Sequence, residues 1–117
     1  MARDGPGAQS SRSYRSRLTT IVDEVTVYVD NAFAVGDWGR WSGGGHLQAD
    51  SVEELHEFAA RLGLRREWFQ SKPGRPENDH YDLSRRGRER ALQLGAVAEG
   101  RAAGARRRRA IRRERTG

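Results

Sequence analysis

The chain has no cysteine, a single lysine, three prolines and no long apolar run. Without cysteine there are no disulfides and no thiolate metal sites, although this leaves the compartment open. No stretch approaches the length of a membrane-crossing helix, so no membrane partner is expected and a cytoplasmic location is the default. Hydrophobic residues make up 35% of the sequence, below the usual globular share, so part of the chain is expected to lie outside a core. With 117 residues there is room for one small domain. Of the 22 basic residues only Lys72 is lysine, a skew that reflects GC-rich coding and says nothing about function.

What charge there is sits unevenly. Residues 1–20 carry a balance of +3 and residues 101–117 a balance of +7, whereas residues 21–100 carry −4. The overall +6 therefore belongs to the ends, and the centre of the chain does not look like a nucleic-acid binder in its own right. Residues 1–24 are rich in Gly, Ser and Arg and are expected to be a disordered extension.

The strongest local signal is Ser51–Gly63. Ser51 and Glu54 have the capping-box spacing, Leu55, Phe58, Ala59 and Leu62 form one apolar stripe, and Gly63 is placed to end the helix. Val25–Asp30 is a β-branched and aromatic run that reads as a strand, and His46–Ala49 as a short second one. Between them Trp38–Ser42 and Gly43–Gly45 read as a loop with a flexible tip. Leu64–Phe69 suits a short strand or a helical turn, and a loop over Ser71–Asp79 follows. Ser84 then caps a second helix running to Leu94 and stopping at Gly95, and Ala96–Ala98 suits an edge strand. The two passages beginning at His46 and His80 echo each other as strand, cap, helix and glycine stop. The expected fold is a small single-domain α/β protein over residues 25–100, with a short sheet packed by two capped helices and disordered basic termini.

At VYVDNA, W-S…HL-x-AD, EELHEFAARLGLRREWFQ, HYDLS and ALQLGA the chain resembles the bacterial and phage family called domain of unknown function 4031. The likeness runs from about Val25 to Val97 and implies no established activity. Members run W-S-H-L without a break, whereas here Gly43–Gly45 separate Ser42 from His46. They begin Met-Thr-Val-Tyr-Val-Asp, and Val25 stands where that Met would be, so translation is expected to start there, making residues 1–24 a mis-assigned extension.

Four groups of residues carry chemistry. Asp30 ends the best strand, where an α/β sheet often opens into a binding crevice; it reads as a metal or polar-ligand residue, or as a cap on its own turn. A strand ending in Asp-Asn is also similar to the start of PIN- and NYN-type nucleases. His80 and Asp82 share a strand face and, with His46, suit metal binding or proton transfer; the alternative is that they cap a turn and the adjacent helix. The metal-ligand candidates are Asp30, His80 and Asp82, with a divalent metal as the cofactor they would hold, and the catalytic candidates are these three and His46. His56 is read as structural. Trp38, Arg40 and Trp41 suit either base stacking or the core. The cluster Arg106, Arg107, Arg108, Arg109, Arg112, Arg113 and Arg115 suits nucleic-acid phosphates, or is a solvated helical tail. Three functions stay open: a non-catalytic module associated with nucleic acid through that tail, a metal-dependent hydrolase or nuclease using Asp30, His46, His80 and Asp82, and a domain docking an unspecified protein partner.

Overall fold

The computed structural model describes residues 26–116. The N-terminal extension and the expected start at Val25 lie outside the described residues. Helix α1 (Val52–Arg61) forms where the capping box places it. Ser51 Oγ accepts the Glu54 amide at 3.2 Å and donates to Glu54 Oε1 at 2.9 Å. Thr26 Oγ1 donates to the other Glu54 oxygen, which ties the helix start to the first strand. Leu55, Phe58 and Ala59 are buried, and Gly63 follows at φ +80°, a conformation that favours glycine.

Strands β1 (Val27–Val29), β2 (Gly45–Ala49), β3 (Tyr81–Leu83) and β4 (Val97–Ala98) form one mixed sheet in the order β3-β2-β1-β4. The β1–β2 and β2–β3 pairs are antiparallel and β1–β4 is parallel. Alternation along the strands divides the sheet into two unlike faces. Val27, Val29, Leu47, Tyr81 and Leu83 are buried on one face with Leu55, Phe58, Ala59 and Ala91 of α1 and of α2 (Arg85–Gln93). Ser84 caps α2 by accepting the Gly87 amide at 3.1 Å. Tyr28, His46, Gln48 and Asp82 fall on the other face, which is therefore polar.

A third helix, α3 (Arg101–Thr116), occupies the stretch where an arginine-rich tail was expected. It has no broad apolar stripe because what it covers is polar. The Arg107 guanidinium lies 4.3 Å from the Tyr28 ring and donates to Gln48 Oε1 at 2.8 Å; Arg108 donates to the same oxygen at 3.0 Å. Arg107 also makes a two-pronged pair with Glu99, at 2.8 and 2.9 Å, with side chains only 10% and 8% exposed. Ile111 is buried, and α3 packs against the single turn of 3-10 helix at Pro76–Asn78. The loop tryptophans do not form the core: Trp38 is 48% exposed, resting on Phe33 with ring centres 5.0 Å apart.

Tyr28 donates to Asp50 Oδ2 at 3.2 Å, and burial, reinforced by the Asp50 carboxylate, pushes its hydroxyl up to about 12. A pKa raised on folding contributes stability that is present below the unfolded value of about 10 and is lost above it. We expect thermal stability to fall as the pH rises from that value toward about 12, and Tyr28→Phe to remove that part of the fall.

Candidate metal centre

Sheet register assembles the centre on the polar face. His46 pairs with Asp82 across β2–β3, and Asp30, one residue past β1, donates its amide to the His46 carbonyl at 3.2 Å. Asp30, His46 and Asp82 thus form a row across three strands. His80, two residues before Asp82, lies against His46 with ring centres 4.8 Å apart at 78°.

Each imidazole is held by its Nδ1. His46 Nδ1 stands 3.0 Å from Asp30 Oδ2, and His80 Nδ1 stands 2.9 Å from the Asn78 carbonyl oxygen. A carbonyl only accepts, as does an ionised carboxylate, so both Nδ1 atoms carry the proton and, in the neutral rings, both Nε2 atoms present lone pairs. These lone pairs converge on one oxygen: Asp82 Oδ1 is 3.8 Å from His46 Nε2 and 3.5 Å from His80 Nε2. The other Asp82 oxygen accepts from Gln70 Nε2 at 2.8 Å. Three donors bonded tetrahedrally to one ion at about 2.1 Å stand roughly 3.4 Å apart. The three donor atoms here all lie within 4.8 Å of one another. A small contraction would let one ion bind all three.

Asp30 has a different place. Its Oδ1 accepts from the amides of His46 at 2.8 Å and Ala32 at 3.0 Å, and its Oδ2 takes the imidazole. Burial opposes its ionisation, but the hydrogen bonds from His46 and Ala32 outweigh it and hold the carboxyl below its usual range. The bond to Asp30 raises the pKa of His46 despite burial. Both Asp30 oxygens are therefore committed to orienting His46, the common outer partner of a metal-bound histidine.

A family model described as "Protein of unknown function (DUF4031)" matches residues 27–112. The chain belongs to the DUF4031 family. The match spans the whole centre and α3 as far as Arg112. No curated protein and no solved structure matches. In this DUF4031 chain the Gly43–Gly45 segment is not a flexible tip, because Gly44 and Gly45 are buried at a close approach of strands. A Cβ on Gly45 would sit 2.2 Å from the Asp30 carbonyl oxygen and 2.6 Å from its Oδ1. Gly45→Ala is expected to push Asp30 away from His46 and to cost about 1–3 kcal/mol of stability, read from denaturant melts.

Asp30, His46 and His80 line a cleft of 720 Å³ that also takes in Gln70, Lys72, Glu99, Arg101 and Arg108. It lies at the carboxyl ends of the parallel pair β1 and β4, where Asp30 and Glu99 follow the strands. Within the arginine cluster, Arg107 and Arg108 hold α3 to the sheet; Arg106, Arg109, Arg112 and Arg113 are exposed, and the Arg115 side chain lies outside the described residues. Reading the sequence missed Gln70, Asn78 and Arg88, whose Nε donates to the Asp30 carbonyl at 2.8 Å. Gln70 stands in an isolated bridge and Asn78 ends a single 3-10 turn, and they act through one amide or one carbonyl. No spacing signals either. His56 is structural: its Nδ1 meets Tyr81 Oη at 2.8 Å and its ring packs on Phe69.

Proposed function

We propose that the chain is a divalent-metal-dependent hydrolase whose ion is held by His46 Nε2, His80 Nε2 and Asp82 Oδ1. The observation that carries this is the double commitment of the Nδ1 atoms, which turns two lone pairs toward one carboxylate oxygen. Two histidines and a carboxylate would leave open positions on an ion, and the ion would supply Lewis-acid activation of water at neutral pH. The same donor set serves iron oxygenases. The polar, charged lining of the cleft favours hydrolysis of a charged substrate over oxidation of an apolar one. The nucleic-acid reading is weaker, because Arg107 and Arg108 are engaged within the fold.

The test is calorimetric titration of zinc, manganese and iron(II) into the full chain. One equivalent is expected to bind, with affinity falling as the pH is lowered because the ion must displace protons from imidazole. Asp30→Asn, which cannot accept from Nδ1 as a carboxylate does, is expected to weaken binding by roughly 10- to 100-fold. Unaltered affinity in that variant would remove Asp30 from the centre. Failure of the wild-type chain to take up any of the three ions would end the proposal.

A further inference from the structure

We infer that the substrate of this centre is a small molecule carrying a phosphoryl group, which Lys72 and Arg101 receive beside the metal. The inference rests on the metal-centre reading and adds the class of ligand. It starts from which charges around the cleft are already matched. Asp30 is held by His46, Glu99 is paired with Arg107 through both oxygens, and Asp82 faces the two imidazoles while Gln70 bonds its outer oxygen. Lys72 and Arg101 line the same cleft, and neither makes an ion pair among the described residues.

Lys72 comes from residues 21–100, which carry a balance of −4, and Arg101 opens the segment that carries +7. Their meeting at one polar cleft is a local feature. The two belong to separate segments, Lys72 to the loop before β3 and Arg101 to the first residue of α3, so a ligand between them touches both walls. A divalent ion adds two positive charges there and Asp82 removes one. A phosphoryl dianion answers that surplus better than a single carboxylate does. The cleft, at 720 Å³, has the size usual for small-molecule sites, about 300–1,000 Å³. Hydrolysis in it would join the water oxygen to phosphorus and break the bond from phosphorus to the leaving alkoxide. One water proton would end on the released alcohol and the other would stay on the phosphate.

Lys72 is the only lysine, which makes the test selective. Reductive ¹³C-methylation of the full chain labels Lys72 and the α-amino group alone. Inorganic phosphate, titrated into zinc-loaded protein, is expected to move the Lys72 methyl signal saturably. Arg101→Ala is expected to weaken that binding roughly tenfold without altering zinc affinity. A Lys72 signal that ignores phosphate, or equal phosphate affinity in the variant, overturns the assignment. Zinc affinity measured on the same samples keeps the two readings apart. Zinc uptake without phosphate binding overturns the substrate class alone, whereas phosphate binding without zinc uptake overturns the metal centre and keeps the anion site. A single-stranded oligonucleotide that displaces phosphate at far lower concentration, with steep salt dependence, overturns the small-molecule class in favour of nucleic acid.

Discussion

His80→Ala is expected to weaken divalent-metal binding by more than the roughly 100-fold that loss of an outer-shell partner brings, because it removes a ligand atom itself. The fold should survive the change. The backbone of His80 is tied to Gln70 by two hydrogen bonds, at 2.9 and 3.1 Å, which do not involve the side chain. The imidazole is part-buried and bonds only the Asn78 carbonyl among the described residues, so its loss should cost about 1 kcal/mol. His56→Ala is the matched control. That ring is hydrogen-bonded to Tyr81 and packed edge-on against Phe69, so its removal should lower stability and leave metal affinity alone. Calorimetric titration beside denaturant melts reads both quantities. A His80→Ala chain that binds metal as the wild type does would take His80 out of the centre.

Arg107→Ala is expected to cost about 3–5 kcal/mol, the range found when one partner of a buried ion pair is removed. The Glu99 carboxylate would be left buried with its two hydrogen bonds gone, and Gln48 would lose one of its two donors. Against a total stability of about 5–15 kcal/mol this is a large share. The loss should appear first as rapid amide exchange along α3, the helix that Arg107 holds to the sheet. Replacing the pair together, Arg107→Met with Glu99→Leu, should recover much of the loss, because no charge is then stranded. A cost under about 1 kcal/mol for Arg107→Ala would mean that α3 is docked by Ile111 and its turn contacts instead.

The parts of this fold that are local in sequence were legible. The Ser51 cap, the Leu55–Phe58–Ala59 stripe and the Ser84 cap each lie within one helix, and all are found as the spacing implies. His80 and Asp82 share a face because strands alternate, which the sequence also gives away. Register is different. Nothing in the sequence says that β2 lies between β1 and β3, and only that order sets Asp30, His46 and Asp82 in one row. That the helical tail over the arginine cluster docks on the sheet as α3 was not legible, for a physical reason. Helices are found by an apolar stripe, and this one packs on Tyr28 and Gln48 through arginine. Gly43–Gly45 looked flexible because glycine marks both mobility and close approach, and only the distance to Asp30 separates the two.

The most direct test of the centre is a long-range ¹H–¹⁵N correlation spectrum of the histidine rings in the full chain, before and after zinc. The geometry predicts that His46 and His80, when neutral, are both Nδ1–H tautomers. Zinc should then shift both Nε2 resonances together and leave His56 unmoved. An Nε2–H tautomer in either ring, or zinc uptake that moves neither Nε2, would contradict the metal centre.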